Sequence, residues 1–508
     1  MTASSRALAD TQLPPASYSF GDGAAPAIWL GLGAARLATL SAGLLVAVGT
    51  LAAGAPMAAA AVSAGLAGIA ALLPLAGRPA VGWLTPLVAH VHAAVTARGR
   101  WCAPPPAAVL TATDTPRQAG AGRCRPVRLR LPAEYGRPHL LEPDGQDDHV
   151  CCLIDPTAGT LTVLFDVAGV DRYPLLEPVE QDQLLTGWGE ALTWLGRDPD
   201  VLRVQLLDRT RPAPVPPDSD PRTDASECRL HDSLTAVLAQ LSSTRDSVLA
   251  VQFRVDAFVT AGPRRSGAGR FDEVDLPGFT TRARQLAGAV LAAQLVLRPL
   301  PADELLELFT DVLTPTARIR DRADRRAGRT TDRWGGLSRR CGWDHVRVQD
   351  SWHRSFAVSF WPATPVGGSW LAPLLLASPA DAARTLSIHL EPLSAADAAR
   401  AARAARTRAE LDRADRFRLG LTGTAQADRA ADASGDVDAD LVAGHSALRL
   451  SAVLTVTAPD LTGLAEAARQ LQQSAATCRL QLRPLHGQHE LGLAATLPLC
   501  RARTAGAL

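Results

Sequence analysis

The chain has 508 residues, with 52 basic side chains against 51 acidic ones and a net charge of +1, so overall charge selects no class of partner. Every basic residue is arginine, and neither lysine nor asparagine occurs. A phosphate loop of the GxxxxGK[ST] kind and a Schiff-base enzyme both require lysine, and both are excluded.

Residues 1–35 are expected to be an N-terminal cytoplasmic segment; they show no charged stretch leading into an apolar core, as a cleavable signal would. Residues 37–77 then run without a charge between Arg36 and Arg78. Crossing the hydrocarbon core takes ~20 mostly apolar residues, so the segment 36–78 predicts a transmembrane helical hairpin turning at Gly54-Ala55-Pro56. Gly43, Gly49, Ser63, Gly65 and Gly68 are small enough to let its two helices approach closely. Arg36 lies before the hairpin and Arg78, Arg98 and Arg100 after it, while the turn is uncharged. Positive residues stay inside, which predicts a multi-pass protein of the plasma (inner) membrane with both termini cytoplasmic and the lipid bilayer as a partner.

Residues 79–123 read as a juxtamembrane helix, broken by Pro86, His90 and His92, and then a Pro/Ala-rich linker. A first α+β lobe follows at 124–300. It contains an alternating strand at 127–131, a hairpin at 150–167 around Asp155-Pro156-Thr157-Ala158-Gly159, an amphipathic helix at 178–195, strands at 201–207 and 247–258, and helices at 229–242 and 279–296. A helix and a basic segment occupy 301–343. The second α+β lobe, 344–508, carries strands at 345–350, 355–361, 385–390 and 448–457. A long Ala/Arg helix starts near Ser394, another helix spans 460–476, and 479–483 and 491–496 read as two more strands. The expected fold class is therefore α+β, a transmembrane hairpin followed by two cytoplasmic lobes. No short-period repeat is present, though the lobes share a logic that fits distant kinship.

No catalytic constellation stands out, and no catalytic, cofactor or metal residue is assigned. The eight cysteines include no CxxC, which argues against zinc. His486 and His489 read as a turn between strands rather than a metal pair, because Gly487 disfavours a helix between them. Gly444-His445-Ser446 lacks the second glycine of a nucleophile elbow. Cys151 and Cys152, adjacent in a strand, must point to opposite faces.

One segment is a candidate contact for a partner protein, acidic lipid or nucleic-acid phosphates. It holds Arg318, Arg320, Arg322, Arg325, Arg326, Arg329 and Arg333, with Trp334 among them, and continues to Arg339 and Arg340. Only Asp321, Asp324 and Asp332 oppose them. The three aspartates and the single aromatic favour a protein partner over DNA. Arg400, Arg403 and Arg406 form a positive stripe that a solvated helix face explains.

Further short motifs carry a resemblance. Tyr18-Ser19-Phe20-Gly21, Pro74-Leu75-Ala76-Gly77-Arg78, Phe165-Asp166, Trp188-Gly189 and Asp208-Arg209-Thr210 come first. Phe360-Trp361-Pro362, Glu391-Pro392, Thr457-Ala458-Pro459-Asp460 and Thr496-Leu497-Pro498-Leu499 follow. In this order they resemble the actinobacterial PrgI-like membrane proteins of conjugation gene clusters. The soluble part is similar to the amino-terminal half of type IV secretion (conjugation) ATPases, with the motor domain absent.

That resemblance implies a non-catalytic inner-membrane scaffold subunit of a conjugative type IV-like secretion or DNA-transfer apparatus. It would dock a separate motor ATPase and other secretion-system membrane subunits within an oligomeric complex, with DNA as a further candidate partner and no cofactor. The alternatives are a type VII secretion membrane component and a membrane-bound enzyme of unrecognised type.

Overall fold

The computed structural model describes residues 33–75, 78–96, 99–102, 125–129, 131–132, 135–142, 150–169, 173, 176–212, 243–259, 274–315, 338–362, 366–376, 382–418, 420 and 439–501. Helices α1 (Ala34–Ala52) and α2 (Met57–Leu72) lie against each other and lead into a small ladder of β1 (Pro74–Leu75) with β2 (Arg78–Pro79). Helix α3 (Leu84–Val95) and strand β3 (Arg100–Cys102) follow. The next elements are β4 (Arg125–Arg128), β5 (His139–Glu142), β6 (Cys152–Asp155), β7 (Thr160–Ala168), α4 (Pro178–Arg197), β8 (Val201–Pro212), β9 (Ser243–Arg254), α5 (Leu276–Ala289), β10 (Val296–Pro299) and α6 (Ala302–Leu313). The chain continues through β11 (Ser338–Cys341), β12 (Val346–Val348), β13 (Ser351–Phe360), α7 (Ala372–Leu376), β14 (Ala383–Pro392), α8 (Ala395–Arg418), β15 (Leu448–Ala458), α9 (Leu461–Thr477), β16 (Gln481–Pro484) and α10 (His489–Ala495).

Local chemistry starts the helices. Asp275 and Asp460 cap α5 and α9 by accepting from the N–H of Gly278 and of Gly463. Pro178 opens α4 at a position where its missing N–H costs nothing. Helix α6 buries Leu305, Leu308, Phe309 and Val312, the i, i+3, i+4, i+7 stripe of one helical face.

Among the described residues, strands β3 to β16 form a single antiparallel sheet of 14 strands. Its centre is the ladder of β8 with β14, in which Leu207 faces Ser387 and Gln205 faces His389. On one face, α4 and α5 cover the half around β7–β9 with a core that includes Phe165, Phe253 and Phe279. Helices α7 and α9 cover the half around β13–β15 with Phe356, Leu454 and Leu464. The opposite face is closed by α6, by α10 and by residues 496–500, whose Leu493, Leu497 and Leu499 join Leu305 and Phe309. Cys151 and Cys152 enter the cores on opposite faces, as their adjacency requires.

Three expectations are corrected. Among the described residues no helix is long and apolar enough to cross a membrane. Helix α1 has 19 residues but carries Arg36 in its first turn, and α2 has 16. At about 1.5 Å per residue, α2 rises ~24 Å against a hydrocarbon core of ~30 Å. The chain then leaves the helical path at Leu73 for β1, so the uncharged run is longer than the helices within it. The transmembrane hairpin falls, and with it the multi-pass plasma-membrane placement that rested on it.

Second, the two lobes share one continuous sheet, joined by hydrogen bonds between β8 and β14. Third, 491–496 is mostly helix α10 rather than a strand. Its alternating look came from residues buried on several sides: His489, Gly492, Leu493, Ala494 and Ala495 are all covered. The expected helix at 229–242 and the linker 103–123 lie outside the described residues.

Candidate functional site

A cluster of buried polar groups lies on the sheet face beneath α10 and residues 496–500. Strand alternation puts His353 and Ser355 of β13, Thr455 and Thr457 of β15, Ser387 and His389 of β14, and Gln205 of β8 on this face. All are at most 5% exposed. A solvated strand face has this composition too, but here the chain's own later residues cover it.

The cover is held mainly through its backbone. The Gln205 amide donates to Ser387 Oγ at 2.9 Å and to the carbonyls of Ala495 at 3.1 Å and Leu497 at 2.8 Å. Its carbonyl accepts the Cys500 N–H at 2.7 Å. His389 Nε2 donates to the Ala495 carbonyl at 2.9 Å, and Arg203 reaches the Cys500 carbonyl while pairing with Glu391. Arg501 pairs with Asp155 at the far side. Gly492 is required for this approach, because a Cβ there would meet Ser355 Cβ at 2.3 Å. Gly487, at φ +68°, turns the chain toward α10, and a Cβ would fall 2.7 Å from the Trp343 ring.

The three histidines are fixed as neutral Nε2–H tautomers. A carbonyl can only accept, so His353 Nε2 donates to Leu313 at 3.0 Å and its Nδ1 accepts from Thr457 Oγ1 at 2.9 Å. His489 Nδ1 accepts the Ser355 backbone N–H at 3.1 Å. Burial is the main force lowering their pKa values, to about 4 for His353 and His389 and about 3 for His489. Burial also pushes the Cys500 thiol up to about 12. For Asp155 burial acts upward, but the Thr157 hydroxyl, Arg501 and the N–H groups of Ala158 and Arg137 outweigh it and hold the carboxyl below its ordinary value.

Ser387 Oγ lies 2.9 Å from His389 Nε2, a pair that resembles a nucleophile and its base. That nitrogen already carries the proton it gives to Ala495, so it cannot take one from the serine. Both side chains are fully buried. The cluster is built to hold a strap of chain across the sheet.

The sequence-predicted site residues Arg318, Arg320, Arg322, Arg325, Arg326, Arg329, Arg333 and Trp334 lie outside the described residues. At the end of that run, Arg339 is 5% exposed in β11, with its guanidinium 5.8 Å from the Tyr135 ring, so it does not belong to an exposed basic patch. Arg400 and Arg406 sit on exposed turns of α8, paired with Asp397 and Glu410. Gly444, His445 and Ser446 lead into β15 and border an open cleft of about 760 Å³ with Arg197, Leu393 and Ala398. His486 and His489 meet edge to face at 5.9 Å, His486 in the turn and His489 in the first turn of α10. Among the described residues, no group of three or more His, Cys, Asp or Glu side chains could hold a metal ion.

Sequence reasoning missed Gln205, His353 and His389. The available signal was the spacing Ser351-His353-Ser355 and Ser387-His389, polar residues two apart inside otherwise apolar strands. No protein-family model matches the chain, and no curated protein does.

Proposed function

We propose that this chain is a non-catalytic scaffold subunit of a conjugative, type IV-like secretion or DNA-transfer apparatus, and that it docks a separate motor ATPase. The ordered set of motifs described above supports the family reading. The observation that carries the scaffold reading is the apolar surface of α1 and α2. Leu44, Leu45, Met57, Val62, Leu66 and Ile69 are each 58% exposed or more. Soluble monomers rarely expose apolar surface of this extent, and such surfaces mark interaction sites. With no charge anywhere in 37–77, the matching surface is an apolar protein face rather than an acidic or basic one. Gln205, His389 and Ser355 are engaged with residues 489–500 and His353 with the end of α6, which leaves the outside of the molecule to do the work.

The test is to recover the intact chain from its native cells after mild cross-linking and to identify what accompanies it. A motor ATPase together with a DNA-processing protein is the expected result. Leu45→Ser with Leu66→Ser should reduce that recovery at least tenfold without changing thermal unfolding. Recovery of type VII secretion components would move the reading to that machinery, and recovery of a substrate-turnover activity from the pure protein would overturn the non-catalytic assignment.

A further inference from the structure

The two halves of the sheet repeat one topology. Elements β7–α4–β8–β9–α5–β10–α6 recur in order as β13–α7–β14–β15–α9–β16–α10, with α8 interposed between β14 and β15. Their strands are laid down alike, β8-β9-β7-β10 in one half and β14-β15-β13-β16 in the other, all antiparallel. This is the split βαβ arrangement, a βαββαβ chain in a four-stranded sheet. A preceding strand, β6 or β12, pairs with the first strand of each unit.

The register repeats residue by residue. One row across the first half reads Pro299–Phe165–Leu249–Leu206, each residue opposite the next. The corresponding row of the second half reads Pro484–Phe356–Leu454–Leu386. Topology alone would not place the same four residue types in the same four seats.

The sequence carries the same repeat once the register points to it. Twelve of the 26 positions in 275–300 are identical to those 185 residues later. Asp275 and Asp460 cap equivalent helices through Gly278 and Gly463. Ala283-Arg284-Gln285-Leu286 recurs as Ala468-Arg469-Gln470-Leu471, and Leu297-Arg298-Pro299-Leu300 as Leu482-Arg483-Pro484-Leu485. Between these blocks Gln294 and Arg479 both adopt left-handed backbone, at φ 52° and 58°, although neither is glycine.

If Leu206 corresponds to Leu386, then Leu207 corresponds to Ser387, and these two face each other across the β8–β14 ladder. Equivalent strands that pair antiparallel at equivalent residues are related by a two-fold axis through that pair, the geometry of an isologous dimer. Each half also sends a terminal arm across the seam, to different strands of the other half. At the end of α6, the Leu313 carbonyl accepts a hydrogen bond from His353 Nε2 in the second half. Past α10, Cys500 and Arg501 reach Gln205 and Asp155 in the first.

We infer that residues 150–313 and 344–501 are two copies of one split βαβ unit, and that the β8–β14 seam with its exchanged arms is a subunit interface between like units that gene fusion has made internal. Each half therefore recognises the other as a partner chain of its own kind would.

The experiment inserts a specific protease site between residues 322 and 330 of the full chain, cuts the purified protein and follows the two fragments. The cut fragments are expected to stay together in native buffer. After separation in denaturant they should rejoin at one to one when mixed and diluted, regaining the uncut protein's elution volume and circular dichroism. Gln205→Ala, which strips the seam and one arm, should weaken rejoining at least tenfold. Gln481→Ala, exposed on β16 away from the seam, should leave it unchanged. Fragments that part on cleavage in native buffer, or that fail to rejoin while the uncut chain refolds under the same conditions, overturn the inference. So does a Gln205→Ala chain that rejoins as tightly as the parent.

Discussion

Gln205 and His389 face each other across the β8–β14 ladder, and both donate to one acceptor, the carbonyl of Ala495. A side chain from each half of the sheet thus meets on a single atom of the covering strap. The strap's carbonyls and N–H groups have no water to turn to, so these two residues decide whether burying it is favourable.

Gln205→Leu keeps the volume and removes the donors and the acceptor. It leaves the Leu497 carbonyl and the Cys500 N–H without the Gln205 partner, each costing about 1–3 kcal/mol when buried. The expected loss is on the order of 3 kcal/mol in urea unfolding, with faster amide exchange concentrated at 495–500. Uniform exchange across the sheet would show that the strap has no separate dependence on this residue.

Acid should act through the histidines. His353, His389 and His489 are held neutral at about 4, about 4 and about 3, below the ~6.5 of a free imidazole. The unfolded chain therefore takes up protons first as pH falls. Stability is complete above about pH 6.5 and is lost as pH drops toward 4, at ~1.4 kcal/mol per pH unit for each histidine. His389→Gln keeps a donor for Ala495 but cannot titrate, so the slope of stability against pH between 6 and 4.5 should fall by about one third. An unchanged slope would mean that His389 is already charged in the folded protein.

Two glycines separate space from backbone freedom. Gly492→Ala forces a methyl against Ser355 and should cost about 1–3 kcal/mol, the usual range for overpacking. Gly49→Ala meets nothing within 4 Å on α1 and should stabilise by roughly 0.5–1 kcal/mol, as alanine replaces glycine inside a helix. Thermal unfolding of both variants checks the pair, and equal shifts would refute the packing of α10 on β13.

The basic segment gives a binding prediction. Replacing Arg322, Arg325, Arg326 and Arg329 with serine should abolish co-purification of a partner ATPase if the segment docks it. If the segment instead holds DNA, the slope of log affinity against log salt should flatten by about one unit for each lost phosphate contact. Retained partner and unchanged DNA affinity would assign the segment no role in either.

Many strand positions, though not their order in the sheet, could be read from the chain. The strands at 160–168, 383–392 and 448–458 show apolar or alternating residues of strand length, and Asp460 marks the start of α9. The site could not, because His353, Ser355 and His389 look the same whether a strand face meets water or another part of the chain. Only contacts more than 100 residues distant distinguish the two. The hairpin misled for a related reason: hydropathy counts uncharged residues, whereas a membrane tests unbroken helical length, and the helix ends at Leu72. Kinship of the halves was faint in strands that tolerate exchange of apolar residues, and it became legible where caps, a left-handed residue and a proline leave few substitutes.

Cys500 and Arg501 close on Gln205 and Asp155, partners 295 and 346 positions earlier in the chain. During synthesis the first half must wait for them, and at roughly 5–20 residues per second that wait lasts on the order of 15–60 seconds. The edge of β8 stays free until β14 is made, open to whatever else in the cell pairs with strands, and its polar face stays uncovered until residues 495–501 follow. The architecture therefore places one aggregation hazard on the ribosome, where a chaperone that shields one strand edge would raise the yield.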